Sequence, residues 1–280
     1  MRGRLIAGLL ALALLVGCTK ATPTEELGPI EVSGDFGVIP SVSFDYPRVI
    51  DSGGVDVLFE GNGDVTARGE VILLDVYAVD ATTTEVVVNT YGRTPRTLTL
   101  DPETIGLELF QALVGRPSGS RILLESAADN LITVLDIYAI KAEGTALAPV
   151  AGLPTVHVAA NGEPTVDITG VVVSTDALVA PTIRGPGAQV DDGALITVQY
   201  VEIDLATGEV LDSTWSDNRT PYTTRLTSAG AMPGWIAGLT GQTVGSQVLL
   251  VLPSREALND GRSLVFVIDI LRAVPIKETL

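Results

Sequence analysis

The chain has 280 residues, 46% of them hydrophobic, and a formal net charge of −17 at pH 7. This length and hydrophobic content fit two domains of ordinary size, each with a buried core. The acidic balance argues against nucleic-acid binding, which depends on cationic contacts to phosphates. One cysteine and one histidine cannot form a metal-binding cluster, and the histidine has no nucleophilic serine near it in the sequence, so we predict no metal, no cofactor and no catalytic triad.

The first residues, 1–18, have the pattern of an export signal. Arg2 and Arg4 precede an apolar run that is short for a membrane span and ends in LVGC. The segment resembles the signal and lipobox of bacterial lipoproteins, which implies a lipid on Cys18 and a mature charge of −19 once the two arginines are removed. We therefore expect an exported protein, anchored to the outer face of the cytoplasmic membrane and tethered by residues 19–30. An ordinary signal peptide with an incidental cysteine is the alternative.

An internal duplication runs through the rest of the chain. The three glycines of EGNGDVTARGE recur in RGPGAQVDDGA 124 positions later, and LFQALVGRPSGS recurs as WIAGLTGQTVGS 126 positions later. Between these anchors we align Tyr77 with Tyr200 and Asn89 with Asp212, at an offset of 123. The number of matching segments, all in the same order, favours a tandem duplication of one domain. The predicted units are a first copy at 31–143, a linker at 144–152, a second copy at 153–274 and a tail at 275–280.

Both copies are predicted to be rich in β-structure with one short helix. Apolar and polar residues alternate along 196–200 and along 264–270, which is typical of strands, and Phe266 falls on the apolar side. Apolar residues at helical spacing follow at 105–113, after an Asp-Pro start signal, and at 232–239. We predict the α+β class, with a curved antiparallel sheet lying across one short helix in each copy.

The second copy holds both tryptophans of the chain, Trp215 and Trp235. Its segments GALITVQYVEID, TGEVLDSTWSDNRTPY, AMPGWIAGLTGQTVGSQVLLVLP and SLVFVIDIL resemble, in this order, the FK506-binding-protein (FKBP) type of peptidyl-prolyl isomerase. The resemblance covers about residues 185–273 well and about 61–140 weakly. It implies two tandem FKBP-like domains with a degenerate first domain, as in two-domain FKBP-like lipoproteins of the bacterial envelope.

The resemblance also implies an active pocket in the second copy. Trp235 matches the floor of the family's pocket, and Asp212 keeps its acidic position. Leu258 stands where the family has a rim tyrosine, so that hydroxyl donor is missing, and Leu211 stands for a phenylalanine. The catalytic set implied is Tyr200, Asp212, Tyr222, Trp235 and Phe266. The substrate-binding set implied is Leu211, Trp215, Ala231, Met232 and Leu258.

Three interpretations of the sequence stay open. The first is a membrane-anchored prolyl isomerase that acts on proline-containing polypeptides and assists the folding of exported proteins. The second is a non-catalytic peptide-binding or chaperone-like module that uses the same groove. The third is a structural lipoprotein of the envelope, in which the aromatic residues are simply core.

Overall fold

A computed structural model describes residues 27–171, 174–216 and 220–275. The predicted signal segment with Cys18, most of the predicted tether and most of the tail lie outside the described residues. The described chain is mainly antiparallel sheet with few helices, in agreement with the predicted fold class. None of its helices is long and apolar enough to cross a membrane.

The first half, residues 31–143, contains a hairpin, a six-stranded sheet and two short helices. The strands follow the order β3-β7-β8-β4-β5 across this first sheet, and β6 also pairs with β4. The hairpin strands are β1 (Glu31–Ser33) and β2 (Ser41–Ser43), and the sheet strands are β3 (Gly54–Phe59), β4 (Val71–Asp80), β5 (Val86–Asn89), β6 (Arg96–Thr99), β7 (Arg121–Ser126) and β8 (Leu131–Tyr138). The helices are α1 (Pro102–Ile105) and α2 (Leu107–Leu113).

The second half, residues 144–275, repeats this plan with one helix. Its sheet, the second sheet, has the order β14-β13-β17-β16-β12-β9, and β15 also pairs with β13. The elements are β9 (Thr145–Ala146), the hairpin strands β10 (Thr155–Val158) and β11 (Pro164–Asp167), then β12 (Leu178–Arg184), β13 (Leu195–Asp204), β14 (Val210–Ser213), β15 (Tyr222–Arg225), α3 (Pro233–Leu239), β16 (Gln247–Leu252) and β17 (Leu264–Val274), with a 3-10 turn at Ser254–Glu256 between the last two strands.

Two details depart from the predicted elements. The helix expected over 105–113 is interrupted at Gly106, whose φ of +83° lies in the left-handed region that glycine adopts without strain, so α1 ends there and α2 starts afresh. The predicted linker contains β9, because Thr145 and Ala146 pair with the last residues of β12. Part of that linker is therefore the outermost strand of the second sheet.

The long central strands of each sheet are buried on both faces. The helix covers one face and the hairpin covers the other. Alternate strand residues point to opposite sides, so each strand contributes to both of these cores. In β17, Leu264, Phe266 and Ile268 face the helix, whereas Val265 and Val267 face the hairpin. The alternation predicted along 264–270 is therefore confirmed, and it places Phe266 on the helix side.

The long strands of the two sheets correspond at an offset of 124, not 123. The main chain of Tyr200 exchanges hydrogen bonds with Thr214, since Thr214 N donates to the Tyr200 carbonyl and Tyr200 N donates to the Thr214 hydroxyl. Val76 and Thr90 make the same pair of bonds in the first half. Val76 is therefore the structural counterpart of Tyr200.

The predicted alignment of Tyr77 with Tyr200 is consequently wrong. Tyr77 belongs to the cluster under the hairpin, while Tyr200 packs in the cluster under the helix. A shift of one residue along a strand moves every side chain to the other face. Matching one tyrosine to the other produces such a shift. The same correction makes Val88, not Asn89, the counterpart of Asp212.

The two halves join through buried polar contacts. Arg272 of β17 reaches into the first half, where its Nε lies 2.6 Å from Asp75 Oδ2, and both side chains are almost fully buried. The Tyr138 hydroxyl donates to the same carboxylate oxygen at 2.8 Å, and the Arg272 guanidinium lies over the Tyr138 ring. A second contact runs from Ala142 N to Asp269 Oδ2 at 2.8 Å.

Candidate functional site

The helix α3 carries Trp235 unusually close to the second sheet. Pro233 at its first position favours a helical start directly after Met232, and glycines at 234 and 238 face β16. A Cβ added at Gly234 would lie 2.5 Å from a methyl group of Leu252, and one at Gly238 would lie 2.6 Å from a methyl group of Leu250. This close approach presses the indole of Trp235 against the sheet.

Four aromatic rings meet on this face, and we call them the aromatic cluster: Tyr200, Tyr222, Trp235 and Phe266. The Trp235 ring lies edge-to-face on Tyr200 and on Phe266, with ring centroids 5.4 and 5.5 Å apart. Tyr222 completes the group at 6.4 Å from Trp235 and 6.1 Å from Tyr200. These are the separations and tilts that aromatic pairs prefer, so the rings support one another.

The aromatic cluster grades from a buried floor to an exposed rim. Phe266 is fully buried and Trp235 has 4% of its surface exposed, whereas Tyr222 is 45% exposed. The indole N–H of Trp235 is buried without a hydrogen-bond partner among the described residues. Tyr222 is therefore the ring of the aromatic cluster that presents the most surface to solvent.

Tyr200 is fixed at both ends. Its main chain is bonded to Thr214, and its hydroxyl donates to Asp212 Oδ2 at 2.5 Å. Burial and the neighbouring Asp212 carboxylate raise the pKa of the Tyr200 phenol, so the hydroxyl keeps its proton at neutral pH. Burial, followed by the charge of Asp212, also raises the pKa of Glu202, which pairs with Asp212 across the strands.

Most of the other predicted site residues also lie here. Leu211, Ala231 and Met232 are partly buried and pack against the cluster that contains Trp235. Leu258 is 51% exposed and directly follows Ala257, which is buried in the same cluster. Leu258 thus lies at the edge of the site and presents an aliphatic group to solvent.

Trp215 does not lie with the others, so the structure does not bring this predicted substrate-binding residue to the aromatic cluster. It is 5% exposed and belongs to the cluster on the opposite face of the second sheet, under the hairpin. It also lines a cleft between the two halves, together with Ile140 and Asn161. A tryptophan is typical of a binding site, which is why its residue type indicated such a role. Ser213 pairs with Val201, and after this pair the chain continues to the hairpin side of the second sheet.

Thr214 is a positioning residue that the sequence reasoning missed. Its hydroxyl accepts a hydrogen bond from Tyr200 N at 2.8 Å and so holds the strand that carries this ring of the aromatic cluster. The signal was present, because a threonine occurs at the corresponding position of both copies, Thr90 and Thr214, at the offset of 124. The assumed offset of 123 concealed it.

The sequence of the second half is similar to known proteins. A family model described as FKBP-type peptidyl-prolyl cis-trans isomerase matches residues 187–269, a range that includes the whole aromatic cluster. The chain is 33% identical over 106 residues to "Probable FK506-binding protein" of Corynebacterium glutamicum, covering 35% of this chain and 87% of that protein. It is 29% identical over 119 residues to "FK506-binding protein" of Streptomyces anulatus, covering 39% of this chain and 95% of that protein.

Among solved structures, the chain is similar to a peptidyl-prolyl cis-trans isomerase of Pseudomonas syringae pv. tomato. The two are 26% identical, with 38% of this chain and 83% of that chain covered and a TM-score of 0.31.

Proposed function

The chain belongs to the family of FKBP-type peptidyl-prolyl cis-trans isomerases and is an enzyme of that class, and we propose that its active site is the aromatic cluster of the second half. The observation that carries the proposal is the position of Tyr200. Its ring contacts the three other rings of the cluster, and its hydroxyl is held by Asp212. One side chain thus joins the apolar floor to the polar edge of the site.

Catalysis of rotation about an X-Pro bond requires only an apolar surface with a polar edge. Rotation about an X-Pro bond has a barrier of about 18–20 kcal/mol that arises from amide resonance, and no covalent bond is made or broken. The planar imide is more polar than the twisted one, so removing water from around it favours the twisted state. Trp235 and Phe266 provide that dry surface, against which the proline ring packs. Tyr200 and Tyr222 enclose the rotating carbonyl.

The two halves are, in this proposal, tandem FKBP-like domains of which the first has lost the site. The strand orders β3-β7-β8-β4-β5 and β12-β16-β17-β13-β14 support a common ancestor, and so does the shared hairpin on the outer face. Leu109 takes the place of Trp235 at an offset of 126, and Val76 that of Tyr200. The first half therefore has a structural or binding role.

The location of the protein is also a proposal. The lipobox-like sequence that ends at Cys18 supports export, lipid attachment and anchoring at the outer face of the cytoplasmic membrane. An isomerase in that place would meet polypeptides as they emerge from export. Its substrates would be the proline-containing segments of exported proteins during their folding.

Exchange of Trp235 for the residue of the first half tests the site. In the full chain, Trp235→Leu should lower kcat/KM on an Xaa-Pro tetrapeptide roughly 100-fold, which corresponds to about 2.7 kcal/mol of barrier. NMR exchange spectroscopy of the peptide measures the rate without a coupled protease, and circular dichroism verifies folding. Leu109→Ala is the matched control in the first half and should leave kcat/KM within about twofold. Equal activity of Trp235→Leu and wild type would remove this assignment.

A second test uses the ligand in the printed names of the two relatives, FK506. If the aromatic cluster binds this macrolide, titration should change the tryptophan fluorescence of the wild-type chain and inhibit the exchange rate in parallel. Trp235→Phe should alter the fluorescence response because the reporter ring at the floor is lost.

A further inference from the structure

The strand β3 forms an exposed edge of the first sheet. It pairs with β7 on one side, and no strand among the described residues pairs with its other side. Five of its six residues are exposed, and its apolar side chains are 37–57% exposed. These side chains are Val55, Val57, Leu58 and Phe59. An open edge with apolar side chains on both faces is a template for a further strand, which is why most proteins protect such edges.

The corresponding edge of the second sheet is protected in two ways. The strand β9 pairs with the end of β12, and Leu147 N donates to the Thr182 carbonyl at 2.8 Å. β12 also carries Pro181, which has no N–H to offer. Pro181 corresponds to Val57 at the offset of 124, and a bulge follows each of them at the next residue. The same fold thus covers one edge and leaves its counterpart open.

We propose that the outer edge of β3 binds an extended segment of a non-native polypeptide as an additional antiparallel or parallel strand. Main-chain hydrogen bonds to a sheet edge form with almost any sequence, because they do not involve side chains. The exposed side chains of Val57 and Phe59 favour apolar residues in the segment. The site lies in the first half, and the aromatic cluster lies on the second sheet. Binding at β3 therefore leaves the aromatic cluster free for the prolines of a client.

The charge of the molecule selects the occupant. The net charge is −17, Asp56 lies within β3, and Glu125 is the partner of Gly54 on the neighbouring strand. These charges attract a segment that carries lysine or arginine beside its apolar residues. Two copies of this chain repel each other for the same reason. The occupant that fits is therefore an unfolded client with cationic residues, not a second copy.

The substitution Val57→Pro tests the edge directly. It copies the second sheet, where proline occupies the corresponding position of a paired strand, and it removes a donor while leaving an apolar group. The probe is fluorescently labelled, reduced and carboxymethylated α-lactalbumin, which stays unfolded, and its binding to the full chain is followed by fluorescence anisotropy. We expect Val57→Pro to weaken binding at least tenfold while kcat/KM on a tetrapeptide stays within about twofold of the wild type.

Two further variants complete the experiment. Val87→Pro is the matched control, because Val87 is also exposed and lies at the bulge of β5, the short opposite edge of the first sheet; its binding should equal that of wild type. Leu58→Lys leaves the main chain unchanged and places a cation at the exposed edge, so it should weaken binding even if Val57→Pro folds poorly.

Three results would overturn the proposal. The first is absence of probe binding by the wild-type chain. The second is wild-type affinity in both Val57→Pro and Leu58→Lys. The third is a wild-type dimer in sedimentation velocity that Val57→Pro converts to a monomer, since a second copy would then be the occupant. Activity on the tetrapeptide is measured separately, so failure of this proposal is distinguishable from failure of the proposed active site.

Discussion

The two halves share a strand order and differ at every position of the proposed site. The floor residue Trp235 corresponds to Leu109, and the hydrogen-bonded pair Tyr200 and Asp212 corresponds to Val76 and Val88. The remaining two pairs, read from the strand registers, are Tyr222 with Arg96 and Phe266 with Thr133. The first half keeps an apolar core without these groups, so the fold needs alternation of apolar residues, whereas the site needs particular side chains.

The helices show the same contrast. In the second half, glycines at 234 and 238 let α3 lie close to β16, and their counterparts in α2 are Glu108 and Ala112. Glu108 instead accepts a hydrogen bond from the Ser126 hydroxyl at 2.6 Å. A helix that approaches the sheet closely can press a large indole onto it. In the first half the corresponding positions carry side chains, and Leu109 stands where the second half has Trp235.

The largest effect is expected where the halves are joined. Arg272→Met leaves the Asp75 carboxylate buried without its cation, although the carboxylate keeps hydrogen bonds from Tyr138 and Thr90. Loss of one member of a buried ion pair typically destabilises by about 3–5 kcal/mol. Urea unfolding of the full chain should show this loss, and the double variant Asp75→Asn/Arg272→Met should recover part of it. A change below about 0.5 kcal/mol in the single variant would mean that the pair does not hold the halves together.

A smaller effect concerns two corresponding carboxylates. Asp136 is paired with Arg121, but at the same place in the second half Asp269 faces Gln247 and the Ala142 N–H. Burial raises the pKa of Asp269 to about 6. The folded state then holds this proton more tightly than the unfolded chain does. Its contribution to stability is therefore complete below about pH 4 and is lost as the pH rises through about 6.

The variant Asp269→Asn isolates this contribution. The difference in unfolding free energy between the wild type and the variant should change by up to about 2–3 kcal/mol between pH 4 and pH 7, at 1.36 kcal/mol per unit of pKa shift. The variant becomes relatively more stable as the pH rises. Urea titrations at four pH values measure the unfolding free energy of both proteins. If the difference between them stayed constant with pH, the Asp269 carboxylate would titrate alike in the folded and unfolded chain.

The smallest effect is expected at the polar edge of the site. Asp212→Val installs the residue of the first half and removes the acceptor of the Tyr200 hydroxyl. We expect kcat/KM on an Xaa-Pro tetrapeptide to fall about tenfold, or about 1.4 kcal/mol, because the phenol is no longer held. Asp212→Asn keeps an acceptor oxygen and should lose less. If Asp212→Val retained full activity, the hydrogen bond would have no role in the reaction.

Much of this arrangement could be predicted from the sequence, because it rests on periodicity and on sequence anchors that recur in the two halves. Alternation along β17 placed Phe266 on the helix side, and the resemblance brought Trp235 and Tyr200 to the same site. Trp215 was placed wrongly because residue type does not reveal which face of a sheet a segment reaches after its strand ends.

The remaining differences concern register and pairing partners. The assignment of Asn89 to Asp212 failed because a shift of one residue is invisible in an alignment that matches tyrosine to tyrosine. Neither β9 nor the buried pair of Arg272 and Asp75 could be predicted, because each depends on contacts between segments far apart in the chain.

The two tryptophans offer the most direct test of the central claim, that proline peptides bind the aromatic cluster of the second half. Their indole N–H groups give separate NMR signals, and the rings lie on opposite faces of the same sheet. A ¹⁵N-labelled full chain is titrated with an Xaa-Pro tetrapeptide, and Trp215→Phe assigns the signals. The account predicts that the Trp235 signal shifts or broadens while that of Trp215 stays in place. A shift of Trp215 with an unchanged Trp235 signal would contradict it.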